Sequence, residues 1–218
     1  MDRAVRRDLR WELREGLAWV YRHRMLGPLA LAGHGWFLFN SMVSTVYVLY
    51  AVDRLHLGAL ALGTTSALAG VGGVIGAAAS GWIERRIGVG PGIIGCRLAL
   101  PVGYALVPLA GAGNALVLLA GAQFVFGLTL GIENPLEMGY RQGVTPDRLQ
   151  GRMNATMRSL NRAAVVVGAP AGGLLADHLG YRPALWIAIT GLSAVAVGLL
   201  LSPFRHARAA DMALWSAA

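Results

Sequence analysis

Six long apolar segments limit this chain to folds that cross a lipid bilayer. A helix needs about 20 apolar residues to cross a hydrocarbon layer of roughly 30 Å, because lipid offers no hydrogen-bond partner to a free backbone amide. The six predicted spans are residues 26–52, 58–83, 91–111, 115–139, 155–176 and 184–204. Only 14% of the residues are charged, which is low for a soluble domain. We expect an all-α integral membrane protein with six transmembrane helices and the lipid bilayer as its first partner.

The arginines occupy alternate connections between these spans. The chain has a formal net charge of +8, which by itself would also fit a nucleic-acid-binding protein. Most basic residues, however, precede the first span, join the second to the third, follow the fourth or end the chain. Six spans with both termini inside bring all of these to one side, where the positive-inside rule places arginine. We expect a multi-pass protein of the cytoplasmic (inner) membrane with both termini in the cytoplasm and no nucleic-acid partner.

Two terminal segments flank the predicted bundle of residues 26–204. In residues 1–25, Leu9, Leu13 and Leu17 recur at helical spacing among charged residues. This pattern favours an amphipathic helix at the cytoplasmic membrane surface, and a loosely ordered charged linker is the alternative. Residues 205–218 form a cytoplasmic tail in this interpretation.

A short internal repeat indicates how the six spans are related. The sequence GWIERRIG begins at Gly81 and GLLADHLG begins at Gly173, and both place a glycine, an acid, a base and a second glycine at the end of a span. The copies lie three spans apart, so the second copy faces the opposite side of the membrane. This is the relation of inverted three-helix repeats in secondary transporters, and it predicts a 3+3 arrangement. Chance similarity in a glycine-rich chain is the alternative.

At these residues the chain resembles the major facilitator superfamily, and more narrowly the carboxy-terminal six-helix half of its bacterial drug and siderophore exporters. The positions that match the family's loop signature are Gly81, Arg86 and Gly88 in the first copy, with Glu84 one place before the expected acid, and Gly173, Asp177 and Gly180 in the second. The stretch YRQGVTPDRLQGR resembles the family's connection between helices ten and eleven. The stretch LREGLAWVYRHRML resembles its central linker.

This resemblance implies a secondary transporter, which is not an enzyme and takes no cofactor. It implies proton-linked efflux of a small-molecule substrate along a pathway between two six-helix bundles. The chain supplies one bundle, so we expect a second six-helix half from a separate polypeptide or from a second copy. The alternative is a truncated, non-transporting relative that acts only as a membrane interaction partner.

Glu133 is the candidate for proton coupling. It lies more than one helical turn inside the fourth predicted span, where an ionised carboxylate is costly unless it is paired, hydrated or protonated. Burial favours the protonated form of a carboxyl group, so a residue in this position is suited to take up and release a proton. The alternative is a structural ion pair with an arginine such as Arg97 or Arg162.

Four polar residues within the spans are candidates for the substrate pathway. They are Asn40 and Ser44 on the first span, and Gln123 and Asn134 on the fourth. Polar groups in lipid need partners, so these side chains either line a pathway or bond to neighbouring helices. In the first case, the first and fourth spans contribute most of the pathway face.

The connection after the fourth span is the candidate inner gate. Its candidate residues are Glu137, Arg141, Arg152, Arg158 and Arg162. Arg158 and Arg162 lie one turn apart, and they can pair with Glu137 or reach toward lipid phosphates. Ordinary membrane anchoring is the alternative. His34 and His178 have no neighbours at metal-ligand spacing, so we predict no metal site.

Overall fold

The computed structural model describes residues 9–208, and every regular element in that range is a helix. The α-helices are α1 (Leu9–Arg22), α2 (Leu26–Leu49), α3 (Ala59–Ile87), α4 (Val89–Tyr104), α5 (Leu106–Leu109), α6 (Ala115–Gly143), α7 (Asp147–Leu179) and α8 (Tyr181–Leu201). A π-helical turn, Tyr50–Arg54, continues α2, and a 3-10 turn, Pro203–His206, follows α8. The outer parts of the two predicted terminal segments, residues 1–8 and 209–218, lie outside the described residues.

Five of the described helical segments are long and apolar enough to cross a membrane. They are Leu26–Arg54, Ala59–Ile87, Val89–Leu109, Ala115–Gly143 and Tyr181–Leu201. They correspond to five of the six predicted spans. The remaining predicted span, residues 155–176, lies within α7, which is not among the five. The first half of α7 carries Arg148, Arg152, Arg158 and Arg162, so this helix is more polar than the five apolar segments.

Contacts among the connections define two ends of the bundle. At one end, Trp19 Nε1 of α1 lies 3.4 Å from Thr145 Oγ1, in the connection between α6 and α7. The Gly90 amide, just after the turn between α3 and α4, donates to the Ala207 carbonyl at 3.1 Å. We call this the arginine-rich end, because the ends of α3, α6 and α7 and the 3-10 turn carry arginines there: Arg85, Arg86, Arg141, Arg148, Arg152 and Arg205.

The other end joins the π-helical turn, the loop after α5 and the start of α8. There the Tyr50 hydroxyl donates to the Ala110 carbonyl at 2.7 Å, and Arg182 Nη2 donates to the same carbonyl at 3.1 Å. We call it the opposite end. Because α7 begins beside Thr145 and ends just before Tyr181, it runs from one end of the bundle to the other, as the five apolar segments do.

Glycines make the closest helix contacts in the bundle. On α3, Gly72 and Gly76 lie so close to the backbone of α6 that a Cβ at either position would overlap it. Gly168 and Gly172 of α7 approach the backbone of α2 in the same way. Small residues allow such close packing, which provides much of the attraction between helices in lipid. Helices α3 and α4 both pack on α6, and helices α7 and α8 both pack on α2. The first three long helices (α2, α3 and α4) and the last three (α6, α7 and α8) therefore make matching contacts.

Two turns with the same backbone geometry connect α3 to α4 and α7 to α8. Gly88 has φ +92° and Gly180 has φ +90°, a region that favours glycine because it has no Cβ. Each amide closes the preceding helix: Gly88 donates to the Glu84 carbonyl at 3.0 Å and Gly180 to the Ala176 carbonyl at 2.9 Å. These turns fall in the two copies of the sequence repeat.

Each end of the bundle has its own apolar core. Leu29, Ile93 and Phe204 are fully buried in the core of the arginine-rich end. Val46 and Leu185 are fully buried in that of the opposite end. Beside the core of the arginine-rich end, the buried polar side chains described below connect α4, α6 and α7.

Candidate functional site

A buried network of four charged side chains links α4 to α6, and a hydrogen bond to Asn154 extends it to α7. Arg97 of α4 donates from Nε to Glu133 Oε1 at 2.7 Å, and its Nη2 lies 2.7 Å from the same oxygen. Nη2 also donates to Glu137 Oε2 at 3.0 Å. Arg141 Nη1 lies 3.3 Å from Glu137 Oε1. The side chains of Arg97 and Glu133 are only 3% and 9% exposed, so this network lies inside the bundle.

Helical spacing on α6 and one long side chain from α4 build this network. Glu133, Glu137 and Arg141 occupy i, i+4 and i+8, which places them on one face of α6. Arg97 reaches both carboxylates from α4, and Arg141 continues to α7, where its Nη2 donates to Asn154 Oδ1 at 3.1 Å. Two guanidinium groups therefore face two carboxylates, and the network as a whole is neutral.

Charge balance makes the network sensitive to the loss or gain of one proton. A buried ion pair is maintained only while both partners remain, because removing one leaves an uncompensated buried charge. If Glu133 accepts a proton, Arg97 keeps Glu137 but loses its strongest link to α6, and the network acquires one positive charge. Two buried donors, Arg97 Nη1 and Arg141 Nε, have no hydrogen-bond partner among the described residues.

The predicted gate residues are not all brought together. Glu137 contacts Arg97 and Arg141, whereas Arg158 and Arg162 are exposed on α7. Among residues 9–208, Glu137 therefore pairs with Arg97 and Arg141 and forms no ion pair with Arg158. Of the two arginines considered as partners for Glu133, the structure selects Arg97.

The candidate pathway residues separate into bonded and exposed pairs. Asn40 Oδ1 accepts a hydrogen bond from the buried Tyr104 hydroxyl at 2.7 Å. Gln123 interacts with the Tyr47 hydroxyl, which also lies 2.9 Å from Thr65 Oγ1. Ser44 and Asn134 are exposed on α2 and α6. Asn40 and Gln123 thus connect neighbouring helices, and Ser44 and Asn134 face outward.

The loop-signature residues shape and close the two turns. Gly88 and Gly180 adopt positive φ, and the carbonyl of Glu84 accepts the closing hydrogen bond of α3. The Arg86 guanidinium lies 5.9 Å from the ring centre of Trp82. Asp177 is exposed, and Gly81 and Gly173 are partly buried.

Sequence reasoning missed the way in which α1 attaches to the arginine-rich end. Glu15 of α1 pairs with Arg148 at 3.0 Å and also with Arg152, both on the first two turns of α7. His34 of α2 lies between α1 and α7, with Nε2 2.7 Å from the Tyr21 hydroxyl and Nδ1 2.6 Å from Asn161 Oδ1. Burial raises the pKa of Tyr21, so this hydroxyl stays protonated. Two arginines one turn apart on α7 were the available signal, but their partner depends on how α1 folds back.

Metal ligation does not explain these polar clusters. Within residues 9–208, no group of three or more His, Cys, Asp or Glu side chains is arranged to hold a metal ion. The network is instead one of ion pairs inside a bundle of membrane-crossing helices, as found in multi-pass membrane proteins.

The match to a known family assigns this bundle to a class of transporters. The family model for the Major Facilitator Superfamily matches residues 29–216. The chain therefore belongs to the Major Facilitator Superfamily, a family of membrane transporters. The resemblance predicted from the two loop copies and from the connection between α6 and α7 is confirmed.

The chain matches individual relatives over only part of their length. The chain is 30% identical over 185 residues to the enterobactin exporter EntS of Salmonella choleraesuis (strain SC-B67) and of Salmonella typhi, over 81% of this chain and 41% of each relative. It is 29% identical over 127 residues to solute carrier family 2, facilitated glucose transporter member 2 of Gallus gallus, over 58% of this chain and 23% of that relative. The chain thus spans less than half the length of these curated relatives.

Proposed function

We propose that the chain forms one six-helix bundle of a secondary transporter that exports small molecules in exchange for protons across the cytoplasmic membrane. The observation that carries this proposal is the buried, neutral network of Arg97, Glu133, Glu137 and Arg141. Charged groups inside a membrane bundle are rare, because their transfer into the bilayer costs free energy. Where they occur, they tend to mark ion or substrate pathways.

The six-span arrangement is supported by the course of α7. This helix runs between the same two ends as the five apolar segments, and its exposed Arg158 and Arg162 lie in the half nearer the arginine-rich end. In our proposal that end faces the cytoplasm, together with both termini. The equal turns at Gly88 and Gly180 and the matching helix contacts support two inverted repeats of three helices.

Labelling of introduced cysteines tests this orientation. Cys96 is the sole cysteine of the chain and is buried, so it provides a low background. Gly151 and Gly113 are exposed, and a Cβ at either position meets no atom within 4 Å. We expect Gly151→Cys to react with a membrane-impermeant thiol reagent only in inside-out vesicles. We expect Gly113→Cys to react only in cells whose outer layers are permeable to the reagent and whose cytoplasmic membrane is intact. Reaction of both from the same side would exclude six spans.

In the proposed mechanism Glu133 is the proton carrier. Ionised Glu133 holds Arg97 and so ties α4 to α6. Protonation weakens this tie and leaves Arg97 with Glu137, which allows α4 and α6 to shift relative to each other while the bundle rocks. Arg141 and Asn154 transmit that shift to α7, beside the arginine-rich end. Substrate efflux in exchange for protons follows if the two states open to opposite sides of the membrane.

The substrate pathway requires a surface that this bundle does not enclose alone. Ser44 and Asn134 are exposed, and Asn40 and Gln123 are partly buried on the same two helices. We propose that a second six-helix bundle, in the same polypeptide or in another, covers these faces and completes the pathway. Because two relatives are named enterobactin exporters, enterobactin is the first substrate to test.

Inside-out membrane vesicles provide the test of transport. Cells produce the protein from its complete coding sequence, respiration acidifies the vesicle interior, and a pH-sensitive dye reports the gradient. With the wild-type protein, addition of enterobactin should partly discharge the gradient. Glu133→Gln should abolish this response, whereas Asp147→Asn, which removes an exposed carboxylate, should retain it. An undiminished response with Glu133→Gln would remove Glu133 from the mechanism.

A non-transporting role makes a different prediction in the same assay. If neither enterobactin nor a panel of small hydrophobic compounds discharges the gradient although the protein is present in the membrane, the chain acts only through its membrane contacts. In that case Glu133 and Arg97 would be a structural ion pair.

A further inference from the structure

A cavity of about 460 Å³ opens at the opposite end of the bundle, away from the buried charge network. It lies between the π-helical turn after α2, the loop after α5 and the first turn of α8. Its lining includes Tyr50, Arg54, Ala110, Ala112, Tyr181 and Arg182. Concave sites of this size hold small molecules, and they usually combine apolar walls with a few fixed polar groups.

Arg182 is held in place at the wall of this cavity. Its Nε donates to the Tyr50 hydroxyl at 3.2 Å and its Nη2 donates to the Ala110 carbonyl at 3.1 Å. The Tyr50 hydroxyl in turn donates to that carbonyl at 2.7 Å. The guanidinium group has therefore already lost much of its rotational freedom. In the described part of the chain, its other amino group, Nη1, makes no hydrogen bond, so a fixed donor is available.

A second guanidinium group lines the same cavity. Arg54 lies 5.8 Å from the ring centre of Tyr181, which restrains it by a cation–π contact. The nearby carboxylate of Asp53 accepts a hydrogen bond from the Tyr181 hydroxyl at 2.7 Å and is not part of the lining. Among residues 9–208, no carboxylate lies within salt-bridge distance of Arg54 or Arg182. The lining thus carries two positive charges and no negative one.

Comparison with the arginine-rich end indicates that the cavity exists because the residues beside it are small. There the ring of Phe204, in the 3-10 turn, is fully buried and packs edge-on against Tyr140 with ring centres 5.5 Å apart. At the opposite end, the loop beside Tyr50 carries Ala110, Gly111 and Ala112. Small residues therefore leave open the space that an aromatic ring fills at the other end.

We propose that this cavity binds an oxyanion group, a carboxylate or a phosphate, between Arg182 and Arg54. Guanidinium groups bind both anions through paired N–H donors, and the start of α8 adds the positive end of a helix dipole. The alanine and tyrosine walls suit an apolar or aromatic portion beside the anionic group. Such a group belongs either to a small free anion on that side of the membrane or to the headgroup of an anionic lipid. This site is separate from Glu133, and its existence does not depend on proton-linked efflux.

The test uses the full chain purified in an uncharged detergent. Binding of radiolabelled inorganic phosphate and of benzoate is measured at equilibrium, and retention of phosphatidylglycerol against phosphatidylcholine is measured by mass spectrometry after reconstitution in a mixture of both lipids. Arg182→Gln removes the fixed donor. Ala112→Phe fills the cavity and leaves every bond of Arg182 in place. Arg85→Gln is the matched control, because it removes one arginine at the other end.

We expect Arg182→Gln to weaken binding about tenfold, as for the loss of one charge-assisted hydrogen bond, and Ala112→Phe to abolish it, with Arg85→Gln unchanged. This pattern with phosphate or benzoate identifies a free anion as the ligand. The same pattern in phosphatidylglycerol retention alone identifies a lipid headgroup. If Arg182→Gln and Ala112→Phe bind every probe as the wild type does, or if no probe binds the wild-type protein, the proposal is overturned.

Discussion

At the arginine-rich end Tyr140 packs against the buried ring of Phe204, whereas at the opposite end Tyr50 bonds to the Ala110 carbonyl beside an open cavity. Both ends also contain a glycine with positive φ, Gly88 or Gly180, at the start of the next helix. The two ends therefore share one backbone plan. They differ in whether side chains fill the space between the helices.

The two ends of the bundle also differ in whether their charged side chains are buried or exposed. Near the arginine-rich end, Arg97 and Glu133 are buried and neutralise each other. At the opposite end, Arg54 and Arg182 are exposed and bond to aromatic rings, a hydroxyl or a carbonyl. A buried charge depends on its partner, while an exposed charge keeps its hydration when a partner is lost. Substitutions at the two ends should therefore have very different costs.

The largest contrast is expected between Arg97 and Arg182. Arg97→Met leaves two carboxylates with one guanidinium inside the bundle and should lower the free energy of unfolding by about 3 to 5 kcal/mol. Arg182→Met should cost about 1 kcal/mol, because Arg182 is exposed and the Tyr50 hydroxyl and the Ala110 carbonyl keep the hydrogen bond between them. Denaturant titration in detergent micelles measures both. The double variant Arg97→Met/Glu133→Leu restores neutrality and should recover most of the loss, and equal costs at the two arginines would contradict the contrast.

Removal of an aromatic ring should make the two ends more alike. Phe204→Ala replaces a fully buried ring by a void and should lower stability by about 3 kcal/mol. The reverse change at the other end, Ala112→Phe, fills an existing cavity and should leave stability within about 1 kcal/mol of wild type. Thermal unfolding of the two variants in the same detergent gives the comparison. A larger loss for Ala112→Phe would show that the cavity is not free space.

The two positive-φ turns should respond equally. Gly88→Ala and Gly180→Ala each force a side chain into a left-handed conformation, at a cost of about 1 to 2 kcal/mol. A Cβ at either position meets nothing closer than 3.9 Å, so backbone strain is the sole new term. Gly70→Ala in the exposed middle of α3 is the control and should not destabilise. Costs that differ several-fold between Gly88 and Gly180 would argue against equivalent turns.

The smallest effect is expected where α1 attaches to the arginine-rich end. Glu15 pairs with Arg148, which is 70% exposed, and with the partly exposed Arg152. Glu15→Gln should therefore cost no more than about 1 kcal/mol, and less at high salt. Faster tryptic cleavage at Arg22 in the variant, measured at low and high salt, reports the detachment of α1. Cleavage at an unchanged rate would indicate that Trp19 and the apolar contacts alone hold the helix.

Local patterns in the sequence were sufficient for much of this architecture. Apolar length located five of the six predicted membrane spans, and the helical spacing of Leu9, Leu13 and Leu17 anticipated α1. The glycines of the two loop copies anticipated the turns at Gly88 and Gly180, because a repeated positive φ requires the same residue. These features depend on a few neighbouring positions, so the sequence displays them directly.

Contacts between distant helices could not be predicted in this way. Glu137 has arginines at helical spacing nearby, but its partner Arg97 lies 40 residues earlier and reaches it only because α4 packs on α6. The bond between Tyr104 and Asn40, and the anchoring of Arg182 by Tyr50, likewise depend on how helices are placed in three dimensions. Arg158 appeared suited to pair with Glu137 because nothing in the sequence shows which face of α7 is turned outward.

Infrared difference spectroscopy of the purified protein can show whether Glu133 takes up a proton, because it detects a protonated carboxyl group without requiring a known substrate. If Glu133 is the proton carrier, stepwise acidification should produce a carbonyl band of a buried, protonated carboxyl group in the wild-type protein and in Asp147→Asn. Glu133→Gln should lack this band. A band that persists in Glu133→Gln, or a Glu133 that stays ionised at every pH at which the protein remains folded, would contradict this role.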